Sequence, residues 1–200
     1  MIVTYFGDHC FRVQSGELSV LVNPSSNRLK GDVVLRTITS AATGAQTQKA
    51  RPLTPERSDG GREISFPGEY EMKGIVVRGF PFPHESTEKF LKTIYLVQWE
   101  DVSLAFLGHI SKAFDGELLE ELGEPDVLFV PTGDDHFIAP EAAAKLAKQL
   151  EPAVIIPSYA KDAKGFLKTF GQSASPQEKF VFKKKDLTGK KGEVVLLSVA

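Results

Sequence analysis

Four histidines, His9, His84, His109 and His136, are the scarce reagents of this chain. Imidazole is the side chain best suited to hold a transition metal or to move a proton near neutral pH, so the company each one keeps decides what it can do. His9 stands in Gly7-Asp8-His9-Cys10-Phe11, His109 ends Leu107-Gly108-His109, His136 closes Asp134-Asp135-His136, and His84 lies in Phe82-Pro83-His84-Glu85-Ser86. No two share a helical i, i+4 or a close strand spacing suited to one ion. A hydrolytic zinc centre needs three protein ligands and an open position for water. Asp8, His109 and His136 or Asp134 would supply one only if separate loops converged.

The remaining constellations read more simply as structure. Asp134-Asp135-His136 follows Pro131-Thr132-Gly133 and precedes Pro140, which fits a turn before a helix better than an acid–base cluster. His84 and Glu85 fit a surface hairpin. Cys10, the single cysteine, fits a buried thiol rather than a nucleophile. Ser15-Gly16, Ser25-Ser26 and Ser58-Asp59-Gly60 lack the strand–turn–helix frame of a nucleophile elbow. Gly60-Gly61 is not a phosphate loop, because no Gly-Lys-Ser/Thr follows.

Strands must position most of these residues. β-branched and alternating runs, separated by Gly, Asn, Pro and Ser, predict strands at Ile2 to Phe6, Cys10 to Val13, Leu18 to Val22, Asp32 to Leu35, Gly74 to Arg78 and Thr93 to Trp99. Further strands are predicted at Val102 to Leu107, Asp126 to Val130, Ala153 to Ile156, Lys179 to Phe182 and Glu193 to Val199. Helical spacing appears in the second half: Gly116 to Leu122 with Asp115 as cap, Glu141 to Leu150 opened by Pro140, and Ala163 to Phe170 ended by Gly171. This order gives an α/β (α+β) domain with helices outside a layered β core. From Thr37 to Arg62 the chain is rich in Thr, Ser, Ala, Gly and Gln and reads as a long loop, the first part expected to be cut by trypsin, at Lys49, Arg51, Arg57 or Arg62.

Two hundred residues with 42% hydrophobic content suit one domain spanning 1–200. A net charge of −2 gives no reason to expect nucleic acid or an anionic membrane as partner. Lys183-Lys184-Lys185 fits a solvated turn. The N-terminus has no signal-peptide pattern and one cysteine excludes an intrachain disulfide, so a cytoplasmic setting is expected. No motif names a partner, and a homo-oligomer stays open.

Several phrases recur in the order of a known family. The opening Ile2 to Val13, Phe66-Pro67-Gly68-Glu69-Tyr70-Glu71-Met72-Lys73-Gly74-Ile75, Thr93-Ile94-Tyr95 leading to Leu104 to Gly108, and Pro125 to Pro131 together resemble a small-domain, lactonase-like branch of the metallo-β-lactamase superfamily, zinc-dependent hydrolases with a four-layer αββα sandwich. The resemblance implies that the strand ends gather at one edge. It also implies a metal loop Ser-His-x-His-x-Asp-His after Asp32-Val33-Val34-Leu35. Here the chain reads Arg36-Thr37-Ile38-Thr39-Ser40-Ala41-Ala42-Thr43, with Ile38 and Ser40 at the first two His positions and Ala42 and Thr43 at the Asp-His pair. The His after the first strand is replaced by Asp8, the bridging Asp of Leu-Gly-Asp by His109, and the late His by Tyr159.

These replacements predict no bound metal and no cofactor, and a non-catalytic binding or structural module. The alternative is a hydrolase with a rebuilt single-metal or metal-free centre around Asp8, His109, His136 and Tyr159. Because Asp and His have traded places at positions 8 and 109, an Asp8–His109 hydrogen bond or ion pair is expected, with the His109 pKa raised. Phe66 to Glu71 is expected to be a structural turn with Tyr70 entering the core.

Overall fold

The computed structural model describes residues 1–40, 62–114, 116–132, 136–159 and 163–200. The expected loop at 41–61 and the residues Asp134 and Asp135 lie outside them. Strands comprise Ile2–Tyr5 (β1), Phe11–Ser15 (β2), Leu18–Val22 (β3), Val33–Leu35 (β4), Ile38–Ser40 (β5), Arg62–Ile64 (β6), Gly68–Met72 (β7), Ile75–Pro81 (β8), Phe90–Trp99 (β9) and Val102–Phe106 (β10). Four more follow: Val127–Thr132 (β11), Val154–Tyr159 (β12), Phe180–Val181 (β13) and Glu193–Val194 (β14). The described helices are Glu117–Leu122 (α1), Pro140–Leu150 (α2), Lys164–Phe170 (α3) and Lys184–Leu187 (α4).

Two sheets result. One runs β13-β1-β2-β3-β4-β6 and the other β14-β12-β11-β10-β9-β8-β7, with β5 added on β9. Strand β11 shows how the layers stack. It pairs in parallel with β10 and β12, and all its residues are buried, as expected of a parallel strand covered on both faces. Its side chains alternate: Val127 and Phe129 join the apolar cluster between the sheets, Leu128 and Val130 the cluster on the opposite face. That second cluster holds the buried face of α2, including Ala143, Leu146 and Leu150. Pro140 starts α2 and Glu151, in the left-handed conformation, ends it. The chain is thus a mixed α/β sandwich of two sheets, with helices on the outer face of the larger one.

Local differences from expectation have physical causes. The expected loop does not begin at Thr37: Thr37 is buried, Ile38–Ser40 pairs antiparallel with β9, and Arg62–Ile64 pairs in parallel with β4. Short polar strands such as these are recruited by the neighbour they pair with rather than by their own pattern. In Phe66 to Glu71, read as a turn at Pro67-Gly68, the chain bends at 66–67 and Gly68–Met72 continues as an edge strand on β8. Tyr70 is half-buried and its hydroxyl donates to the Phe66 carbonyl at 3.1 Å. After β14 the chain makes only isolated bridges, Gln177 to Leu197 and Tyr5 to Val199. Lys184 and Lys185, read as a solvated turn, form the single turn α4, where Asp186 accepts a hydrogen bond from the Lys183 amide at 2.8 Å.

Candidate active-site cleft

The C-terminal ends of β1, β3, β4, β10, β11 and β12 meet at one edge of the sandwich. A narrow cleft opens there, with an enclosed space of about 10 Å³, room for about one water. His9, Asn23, Gly108 and Ser158 line it together with Phe11, Phe106 and Phe129. The strands supply the apolar walls and Ser158, and the loops that leave them supply His9 and Asn23.

His9 reaches the cleft through an unusual turn. Gly7, Asp8 and His9 all have positive φ, at 80°, 46° and 61°. Such a conformation is costly for residues with a Cβ and persists only where the surroundings enforce it. The Cys10 amide closes the turn on the Gly7 carbonyl at 2.7 Å. Its effect is to present Asp8 to solvent and to bury His9, which is 7% exposed. The His9 ring packs 4.0 Å from that of Phe137, and its Nδ1 lies 2.5 Å from the Ser158 hydroxyl. Ser158 is itself 3% exposed, in β12 beside Pro131 of β11.

His109 is held from the other side. Thr37 and Asn23 form a small polar bracket in which the Thr37 amide donates to Asn23 Oδ1 and Asn23 Nδ2 donates to Thr37 Oγ1, both at 2.9 Å. The Thr37 hydroxyl donates to Asn23 Oδ1 at 3.1 Å and lies within hydrogen-bond distance of His109 Nδ1 at 2.7 Å. Gly108 makes the approach feasible. A Cβ there would stand 2.3 Å from the Thr37 Cβ, and its φ is +66°. The two imidazole rings face each other at 5.3 Å.

Among the described residues, Lys92 brings charge to this loop from behind. Lys92 Nζ donates to the His109 carbonyl at 2.6 Å and to Glu85 at 2.7 Å. Glu85 also accepts the amides of Ser111 at 2.9 Å and Lys112 at 2.7 Å. Burial alone would raise the Glu85 carboxyl, but Lys92 and the Ser111 amide hold it below its ordinary value. Burial, assisted by the Lys92 ammonium, pushes His109 down to about 4, so it is neutral at physiological pH. Cys10 is a buried thiol raised by its burial.

The expected Asp8–His109 pair does not form. His109 bonds to Thr37, its pKa is lowered rather than raised, and the turn directs Asp8 outward. His136 is exposed beside Phe137. Tyr159 ends β12, and its neighbour Ser158 lines the cleft. Glu85, read as part of a surface hairpin, is a buried clamp on the His109 loop.

The donor set does not match a hydrolytic zinc centre. His9 and His109 bring two nitrogens, and among the described residues no group of three or more His, Cys, Asp or Glu could hold an ion. At the first two positions of the family's metal loop, Ile38 and Ser40 are members of β5, paired to β9. Ala42 and Thr43 lie outside the described residues.

Two sheets with a helical layer and a cleft at the C-terminal strand ends define a layered α/β sandwich. The chain belongs to the β-lactamase superfamily: the family model described as "Beta-lactamase superfamily domain" matches residues 2–159. A UPF0173 metal-dependent hydrolase from Methanopyrus kandleri is 30% identical over 105 residues, a match covering 48% of this chain and 46% of that relative, about half of each. Among solved structures, a Thermotoga maritima protein assigned to the Zn-dependent hydrolases of the metallo-β-lactamase superfamily is similar with a TM-score of 0.76 at 22% identity, covering 98% of this chain and 99% of that one. Igni18, a metallo hydrolase from Ignicoccus hospitalis, gives a TM-score of 0.66 at 18% identity over 91% and 99% of the two chains. An isothiocyanate hydrolase from Delia radicum gut bacteria gives 0.61 at 15% identity over 92% and 100%. At these identities the structural likeness establishes the fold. Among the described residues no helix is long and apolar enough to cross a membrane.

Proposed function

We propose that this chain is a metal-free member of the metallo-β-lactamase family, a module that receives a small uncharged molecule in the cleft at its strand ends. The observation that carries this reading is the paired hydroxyl–imidazole contacts, Ser158 to His9 and Thr37 to His109. They tie one nitrogen of each imidazole to a hydroxyl at the strand ends, and among the described residues two imidazoles fall short of the three protein ligands a hydrolytic zinc needs. The lining supports an uncharged ligand: His109 is neutral, Asp8 faces outward, and phenylalanine rings form much of the wall.

Metal analysis tests the proposal directly. Untagged protein from zinc-supplemented cells, purified without chelator and dialysed, should hold far less than one equivalent of zinc, manganese or iron. A one-to-one metal content that survives dialysis would contradict it. One contact favours a second reading, a metal-free hydrolase: the short hydrogen bond between a buried serine and a buried histidine is the arrangement of a nucleophile and its base.

A further inference from the structure

We propose that the open edge of β13 is a docking site for an acidic, extended segment of a partner protein, which adds to the smaller sheet as a further strand. The edge lies beside the start of β1, whereas the cleft lies beyond its end, so the proposal stands independently of what the cleft binds.

Backbone pairing makes the edge available. Among the described residues β13 ends the strand order of the smaller sheet, so only its β1 side is paired. The Phe182 amide donates to the Met1 carbonyl at 3.0 Å, and the Met1 ammonium donates to the Phe182 carbonyl at 2.5 Å. The next pair, Ile2 with Val181, is therefore a non-hydrogen-bonded one, and the Val181 amide and carbonyl point away from β1 toward the open edge. Alternation sorts the side chains. Phe180 and Phe182 enter the core between the sheets, which leaves Lys179, Val181 and Lys183 exposed on the outer face. Val181 is 68% exposed and stands opposite Ile2, 37% exposed, so two aliphatic side chains form an uncovered pair.

Charge selects the occupant. Lys184 and Lys190 are paired with Asp126 and Glu193, whereas among the described residues no carboxylate meets the ammonium of Lys179 or Lys183. Asp186 is engaged by the Lys183 amide. Two unpaired ammonium groups on either side of an exposed valine match a strand that carries carboxylates on either side of an apolar residue, held by main-chain hydrogen bonds to Val181. A second copy of this chain does not fit. Paired antiparallel about Val181, it would set Lys179 of one chain against Lys183 of the other, a like-charge contact across the ladder. Edge lysines guard a sheet against such self-pairing and leave an acidic strand as the complementary one.

The probe is a fluorescein-labelled peptide of alternating glutamate and valine, followed by anisotropy at low ionic strength, with a lysine–valine peptide of equal length as control. Saturable binding of the acidic peptide alone is expected. In the unmodified protein the peptide should slow hydrogen exchange of the Val181 amide about tenfold and leave the amides of β11 unchanged. The double variant Lys179→Glu, Lys183→Glu should weaken binding about tenfold. Val181→Pro removes the outward donor without touching the β1 ladder and should weaken it to a similar degree. Because the exchange is read on the unmodified protein, a variant that fails to fold does not decide the outcome. No saturable binding, equal binding of both peptides, or a Val181 amide that exchanges as before would overturn the proposal. Binding to phosphatidylserine vesicles without binding to the acidic peptide would also overturn it, in favour of a membrane contact. None of these results bears on the metal-free reading of the cleft.

Discussion

His109 shows how one side chain records its surroundings. The resemblance puts a metal-bridging carboxylate at this position; here an imidazole is buried against Thr37 with a lysine behind its carbonyl. The folded protein therefore favours the neutral ring, with a pKa of about 4 against an ordinary 6.5. As pH falls through the unfolded value the unfolded chain takes up a proton that the folded chain resists, so stability declines until the folded ring also protonates. The full effect is about 3 kcal/mol, present above the ordinary value and lost toward pH 4. Urea unfolding between about pH 7 and about pH 4.5 should show a steeper loss for the native protein than for His109→Gln. Parallel curves would show that His109 is not the group responsible.

Glu85 loses its contribution in the same direction on acidification, because its folded pKa is also depressed. Its curve is common to both proteins, so the comparison isolates the imidazole. At this scale the sequence was partly legible. The positions of Asp8 and His109 against the family pattern were visible, but which neighbour each would meet was not. The Gly7-Asp8-His9 turn, with its run of positive φ, reverses the expected roles of residues 8 and 9. The two hydroxyls that now partner the imidazoles, Thr37 and Ser158, carry no local signature of function.

At the level of elements, strands are rigid and the loops leaving them are placed by close contacts. Gly108 is the tightest of these. Replacing it by alanine would add a Cβ at 2.3 Å from the Thr37 Cβ, at a backbone φ of +66° that disfavours side chains. Gly108→Ala should lower stability by about 2 to 4 kcal/mol and displace the Thr37–His109 contact. Thermal unfolding and the imidazole NMR signals would check both effects; an unchanged melting temperature would mean that the loop relaxes at little cost.

Long apolar runs such as Val127 to Val130 and the Pro140 helix were legible because burial imposes a period on them. The strands β5 and β6 were not, since Ile38–Ser40 and Arg62–Ile64 are short and polar and owe their conformation to β9 and β4. The buried Glu85–Lys92 clamp was equally hidden. Charged residues in sequence read as surface, and only the fold reveals that their partners are the amides of Ser111 and Lys112 and the carbonyl of His109. Such a clamp can position a loop, since removing either partner would strand a buried charge.

For the whole molecule, two sheets bury one apolar cluster between them and a second beneath the helices. The strand ends converge, and the cleft they form is lined by His9 and Ser158, with the Thr37–His109 pair beside it. The most direct measurement is a zinc titration of the untagged protein followed by long-range proton–nitrogen NMR of His9 and His109. The metal-free account predicts that neither imidazole ring shifts with one equivalent of zinc. Saturable shifts of both imidazoles at one zinc per chain would contradict it.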